Sequence, residues 1–401
     1  MRWRYFATVL KGDGTETPVD QDIPLGDVSF TEELSGAGVL TGTLAPETGR
    51  FYLGFKDELP LLRPWLNAVY AEADGQIRFG GILADISDEG PKLVLDVVGF
   101  TAYANDQPYD GEWSKVNIDP LDAAREIWAH LQSKPQGNIG LKVDGLKSPV
   151  RIGTETKETT STFTSGSGSS TSVNGNTGEV TVRPGTQTSG SKTTITPIPY
   201  DLVWWKTNNL GNEFNKLAKE TPFDYRVEHT WVGDTINHAL KFGYPTLSAV
   251  RNDLRFVAGE NVFAVPKLEY DGDEYASEVM VLGTGEGRKM IRSVSKAPAP
   301  GRLRRILAVS DPGANNAATA KSRADRELKL RTGDVDVTEI LVIDHPHAPL
   351  GSYGVGDVIQ VGTTEGWSQV LNLSSRILSI TTEPERGISR LKLLRTDRAG
   401  V

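Results

Sequence analysis

Residues 75–100, GQIRFGGILADISDEGPKLVLDVVGF, decide how this chain is read. Ile77, Phe79, Ile82 and Ile86 set apolar side chains along 76–86 at a loose period of two, the spacing of a half-buried strand. Gly80-Gly81 interrupts the alternation, which predicts a β-bulge that bends the strand there. Asp88-Glu89-Gly90-Pro91 carries turn chemistry, and the return run 92–98 puts Leu93, Leu95 and Val97 on one face. The stretch therefore predicts a long bent hairpin in a curved or barrel-like sheet.

Working outward, residues 3–9 alternate with bulk on both faces and stop at Gly12-Asp13-Gly14, so the first strand is expected to be covered on two sides. Residues 28–30 and 39–44 read as the next strands, with Gly36-Ala37-Gly38 between them. Residues 65–72 read as another, because Pro60 and Pro64 exclude a regular helix just before it. A helix is predicted after Ile118, with Asp119 as N-cap, Pro120 at its first position and Leu121, Ala124, Ile127, Trp128 and Leu131 on its apolar face. Trp128 is then a core residue and the lone His130 beside it a structural one. A second helix is capped by Asn208 or Asn209, carries Leu210, Phe214, Leu217 and Ala218, and stops at Thr221-Pro222. Strands at 224–228 and 239–242 follow it, then strands at 267–270, 277–282 and 290–294. A third helix is expected over 312–331, capped by Asp311, and the strands 335–343, 358–362, 370–381 and 388–394 read as a second barrel or sandwich.

Between 154 and 196 the sequence is almost entirely Ser, Thr and Gly and holds too few large apolar side chains to offset the entropy of ordering. One reading is a floppy insertion. The other is a two-stranded arm that orders against neighbours, for which the alternation over 179–183 and the Asn174-Gly175 turn signal speak.

With 401 residues, 38% of them hydrophobic, the chain is long enough for more than one core. The fold class expected is α+β and β-rich, with two barrel-like β regions joined by a smaller α/β region. The divisions fall at 1–106, 107–245 (carrying the insertion 154–196) and 246–401. The absence of cysteine excludes disulfides, thiolate chemistry and Cys-based zinc sites. A formal net charge of −9 opposes a protein that grips duplex DNA, which needs clustered Lys and Arg. The apolar run in the first 14 residues is too short for a signal peptide, and no segment is expected to span a membrane.

Motifs that carry chemistry are few. Asp344-His345-Pro346-His347 holds an H-x-H pair able to ligate a metal from one face, with Pro346 against a strand there and no third ligand at matching spacing. A solvated turn is the other reading of those residues. His229 and His238 are placed to meet across a hairpin as a polar pair. Gly283-Thr284-Gly285-Glu286-Gly287-Arg288-Lys289 fails both the phosphate-loop and the dinucleotide patterns and reads as a hairpin turn. Asp85 with Asp88, or Asp271 with Glu274, are the loosest of candidates for a glycosidase pair. No catalytic, cofactor-binding or metal residue is assigned, no cofactor is implied, and the chain is not expected to be an enzyme.

Three features together resemble the tail-hub, or minor tail, proteins of long-tailed phages of Gram-positive, especially actinobacterial, hosts. They are the G-x-I-x-x-G-G-I step at 75–82 with its turn and return strand ending in Gly99-Phe100, the helix-then-hairpin order before Tyr244-Pro245, and G-x-G-E-G at 283–287 between strands. The resemblance implies a homotrimeric hub at the virion tail tip, made in the host cytoplasm. Its implied partners are the distal tail protein ring, the tape measure protein and other tip or receptor-binding proteins. DNA would pass through its channel without specific binding. The channel wall is then expected to be acidic or neutral rather than basic, with Glu32, Glu33 and Asp57 as candidate wall residues. The alternatives are a tail-associated cell-wall glycan or peptidoglycan hydrolase, and a carbohydrate-binding module using Trp113, Trp204, Trp205, Trp231 and Trp367.

Overall fold

The structure is a computed structural model describing residues 1–54, 60–166, 170–173, 180–183, 187–221, 223–263, 267–269, 275–297, 301–311, 314, 316–331, 336–363 and 371–396. Asp57, Asp271, Glu274 and Trp367, and the Asn174-Gly175 turn, lie outside the described residues.

The first segment runs β1 (Trp3–Leu10), β2 (Glu16–Asp20), β3 (Gly26–Glu33), β4 (Val39–Leu44), α1 (Pro46–Leu53), β5 (Asn67–Ala73), β6 (Gln76–Asp88) and β7 (Leu93–Gly99). The long hairpin is present as β6 and β7, and Gly90 N donates to Asp88 Oδ1 in its turn at 2.9 Å. Its bulges are not at Gly80-Gly81. The register slips between Ala71 and Glu72 of β5, leaving Arg78 unopposed, and between Leu83 and Asp85 of β6. The two glycines answer to crowding instead: a Cβ on Gly80 would stand 2.6 Å from the Tyr70 ring, and one on Gly81 would stand 2.6 Å from the Val98 carbonyl oxygen. Trp65 is not in a strand but in a left-handed turn (φ 60°) ahead of β5.

β1, β5 and β6 are buried on both faces, as the bulk on the first strand predicts. Tyr5, Ala7, Val69, Ala71, Phe79 and Leu83 enter one core with Phe30, Leu40 and Leu95. Phe6, Ala68, Tyr70 and Ile82 enter another on the opposite face. That second core is filled by the middle segment: β8 (Glu112–Lys115), α2 (Pro120–Gln132), β9 (Leu141–Val143), the ribbon strands β10 (Glu155–Gly166), β11 (Ser170–Val173), β12 (Val180–Arg183) and β13 (Gln187–Ile198), then β14 (Tyr200–Val203), α3 (Leu210–Glu220), β15 (Asp224–Val232) and β16 (Thr235–Gly243). Asp119 caps α2, its Oδ1 accepting from Leu121 N at 3.0 Å, and Asn209 caps α3, accepting from Asn212 N at 2.9 Å. Trp128 of α2 is fully buried, edge-on to Phe214 of α3. The ribbon is a twelve-pair antiparallel ladder of β10 on β13, which pair with no other described strand.

The last segment holds β17 (Phe256–Val257), β18 (Lys267–Glu269), β19 (Glu278–Leu282), β20 (Arg292–Lys296), β21 (Ile306–Ser310), α4 (Ala317–Arg331), β22 (Asp336–Ile343), β23 (Val358–Thr363), β24 (Leu371–Glu383) and β25 (Ile388–Arg395). Residues 283–291 connect β19 to β20 as a hairpin. α4 starts later than the sequence predicts. Asn316, not Asp311, accepts from Thr319 N at 2.8 Å, while Asp311 faces Arg323 at 3.7 Å.

Among the described residues the sheets do not close into barrels. The main sheet is one open ladder in the order β18-β22-β25-β24-β3-β4-β7-β6-β5-β1-β2. The reason is the length of β24. Thirteen residues leave room for β23 against its first half (371–376) and β3 against its second (379–382) on the same edge, while β25 runs along the other. Thr31 and Thr381 share a hydrogen bond of 2.8 Å across that seam. The result is a β-rich α+β fold in which β1 and β25 belong to one sheet.

Candidate functional site

The hairpin β15–β16 is where the three segments meet. Its register sets His229 opposite His238. The expected cross-strand pair is real: their Nδ1 atoms lie 2.7 Å apart. His238 Nε2 then reaches Glu16 Oε1 at 2.7 Å, and Glu16 also accepts from Tyr70 Oη at 2.9 and 3.0 Å and from Thr8 Oγ1 at 2.8 Å. Phe100 lies against both imidazoles, and only 2% of His238 remains exposed. Burial, and then the neighbouring His238, hold His229 well below the usual histidine range, so it stays neutral. Burial and the Glu16 carboxyl push the Tyr70 phenol well above its ordinary value. This relay of contacts, His229 to His238 to Glu16 with Tyr70 and Thr8 donating to the same carboxylate, ties β1, β2, β5 and the hairpin together.

Beside this relay lies a small cleft lined by Glu32, Glu33, Arg78, Phe100, Arg226 and His229. Glu32 keeps part of its surface toward the cleft but is packed deep among protein atoms. Burial pushes its carboxyl up to about 7, with Arg226 and Arg78 pulling the other way. Both arginines are also tethered to the last segment, Arg226 Nη1 to Val355 O at 3.0 Å and Arg78 Nη1 to Gly351 O at 2.7 Å. Below them Arg376, buried, meets Asp224 and donates to Leu247 O at 3.0 Å. Trp231 of the hairpin stacks on Phe6 and donates to Glu72 Oε2 at 2.9 Å, so it is a packing residue.

The second histidine pair is on the surface of the last segment. His347 Nδ1 is 2.7 Å from Glu260 Oε1, and ligand atoms of Glu260, His345 and His347 all lie within 4.8 Å of one another. The sequence offers no sign of Glu260, which comes from a turn remote in the chain. Asp344 is not part of the group; its Oδ1 accepts from Leu350 N at 3.0 Å. His130 stacks on Tyr109 at 3.9 Å and pairs with Asp110 at 2.8 Å. Asp85 and Asp88 are exposed, and each accepts from a nearby backbone amide at 2.9 Å. Trp204 and Trp205 are each 60% exposed and pack edge to face, while Trp113 is half-buried against Tyr200. Among the described residues no helix is long and apolar enough to cross a membrane.

Set against known proteins, the chain matches no family model and no curated protein. Solved structures do match, over almost its whole length. A 43 kDa tail protein of prophage MuSo2 from Shewanella oneidensis superposes with a TM-score of 0.56 at 15% identity, covering 98% of this chain and 99% of that one. The tail protein from Neisseria meningitidis MC58 gives 0.52 at 16% identity over 98% and 96%. The chain has the fold of these phage tail proteins.

Proposed function

We propose that this chain is a structural protein of a phage-type tail, and that it acts at the tail tip as a trimeric hub. The observation that carries this reading is the end-to-end match with two tail proteins, which leaves little of the chain outside the shared fold. The hub joins the distal tail ring above to the tape measure protein and the tip or receptor-binding parts, around the path by which DNA leaves. Its location is the virion, after synthesis in the host cytoplasm, and the actinophage-like motifs of the sequence are what favour the hub within the tail. A tail-associated hydrolase finds no support in Asp85 and Asp88, whose carboxylates are engaged with local backbone.

The β10–β13 ribbon fits an assembly role. Two strands without a covering layer are marginal in water, and the described side chains at 159–162 are exposed, so a neighbour is needed to stabilise them. Native mass measurement is expected to find three copies, and only monomers at high concentration, with no ring in particles, would refute the hub. Because Glu155 and Ile198 are paired, excising 155–198 leaves adjacent ends. The shortened chain is expected to keep its melting temperature within a few degrees, roughly the effect of 1 kcal/mol or less in a chain this long, and to assemble poorly.

A further inference from the structure

The H-x-H motif lacks a third ligand in sequence, and the fold supplies one. The segments 255–262 and 343–350 are fastened to each other by backbone hydrogen bonds: Arg255 N to His347 O at 3.2 Å, and Ile343 N to Asn261 O at 3.0 Å. Asn261 is buried at 1% exposure, and its side chain bonds Val257 N at 2.9 Å and Arg255 O at 2.7 Å. On the other side, Ala348 N donates to His345 O at 2.9 Å, and Ala348 and Leu350 are buried in the core of the last segment. The backbone under all three side chains is therefore held before any ligand arrives.

The side chains are disposed accordingly. Arg255 Nη2 holds Glu260 Oε2 at 3.2 Å, which leaves Oε1 directed at His347 Nδ1. The two imidazoles stand edge to face with centroids 4.9 Å apart, and His347 N approaches His345 Nδ1 at 3.2 Å. An ion bound at about 2.0–2.2 Å from each donor needs donors roughly 3.5 Å apart, so a group already within 4.8 Å closes by small side-chain rotations. Two imidazoles and one carboxylate are donors for zinc and similar divalent ions rather than for calcium or magnesium, which prefer all-oxygen shells.

We propose that Glu260, His345 and His347 bind one divalent transition-metal ion of the zinc class, with water at the remaining position on the exposed side of His347. The ion clamps the turn at 259–262 to the loop at 344–350. It acts as a staple on the last segment, independently of whether the chain is a tail hub.

The test uses the untagged full-length chain, stripped with chelator and titrated with Zn²⁺ by calorimetry, and with Co²⁺ by visible absorbance. One equivalent of Zn²⁺ is expected, with a rise in melting temperature and Co²⁺ bands of a four-coordinate nitrogen–oxygen site. His345→Ala, His347→Ala and Glu260→Gln should each weaken binding by on the order of 100-fold, at least the upper end of what loss of an outer contact costs. All three positions are at the surface, and circular dichroism checks that each variant is folded. His130→Asn, which alters a histidine in α2, should bind as the parent does. Absence of binding by the parent chain overturns the proposal. So does binding that the three variants retain, or that His130→Asn removes.

Discussion

Two trios of the same composition sit in this molecule. His229, His238 and Glu16 form a line, with contacts of 2.7 Å from ring to ring and 2.7 Å from ring to carboxyl, closed over by Phe100 and Tyr70. His345, His347 and Glu260 converge on one point at the surface, where half of the His347 side chain is in solvent. In the line, the donor and acceptor atoms that face one another are already satisfied, so the trio serves cohesion. In the cluster, His347 also meets its carboxylate at 2.7 Å, but all three side chains bring a ligand atom within 4.8 Å of the others at the surface, which is the geometry the proposed ion needs. Residue types alone do not distinguish these cases; the direction of the lone pairs and the access of water do.

The strongest way to break the comparison is to remove the carboxyl from each trio. Glu16→Ala strips Tyr70, Thr8 and His238 of a partner in a place that water does not reach freely, Glu16 being 12% exposed at its side chain. A loss of about 4 kcal/mol is expected in urea unfolding. Were that loss no larger than the loss from Glu260→Ala, the relay would not be holding the segments together.

A second expectation uses pH to sharpen the contrast around the buried trio. Glu32 titrates near 7 in the folded chain against an ordinary value of 4.5. Between those values the unfolded chain releases this proton first, so Glu32 makes stability fall as pH rises from about 4.5 to about 7. His229 acts in the opposite sense: neutral when folded, it lets the unfolded chain take up a proton as pH drops below about 6.5, and stability falls with acid. Glu32→Gln removes only the first trend. Arg78 and Arg226, the charges facing Glu32, stay in place. The variant is expected to match the parent at pH 4.5 and to exceed it by roughly 2–3 kcal/mol at pH 8. A stability difference that is flat with pH would show that Glu32 is ionised in the fold.

Local features of the fold were legible in the sequence. Leu93, Leu95 and Val97 alternate and are buried on one face, and Asp119-Pro120 and Asn209 start helices, because strand faces and caps are written over a few neighbouring residues. α1 was missed, although Pro46 at its first turn and Glu47 beside it were a signal, because a helix of eight residues burying only Gly49 and Tyr52 has almost no apolar stripe. Gly80-Gly81 was misread because a glycine that makes a bulge and a glycine that admits a ring look alike in sequence. The barrels failed on a pairing between β3 and β24, whose Thr31 and Thr381 are 350 residues apart. Glu16 lies 222 residues from its histidine, and Glu260 87 from His347. Nothing local announces either carboxylate, so the sequence could name both histidine pairs but not the group that gives each pair its character.

The smallest expected effect is also the one that most directly opposes the two trios. Without added metal, the double change His345→Ala and His347→Ala removes two partly exposed side chains, the bond His345 Nδ1 accepts from His347 N, and one hydrogen bond to Glu260, which keeps Arg255 as a partner. Surface contacts of this kind contribute little, so stability in chelator should move by no more than about 0.5 kcal/mol. The matching change His229→Ala and His238→Ala empties two packed positions against Phe100 and Tyr70 and leaves Glu16 without its imidazole, which should cost several times as much by the same urea titration. Adding Zn²⁺ then separates cohesion from ligation: it should stabilise the parent and the His130→Asn chain, and leave the His345→Ala, His347→Ala chain where it was. Equal losses from the two double changes in chelator would mean that the surface cluster already braces the fold unaided, and that the distinction between line and cluster is one of geometry without consequence.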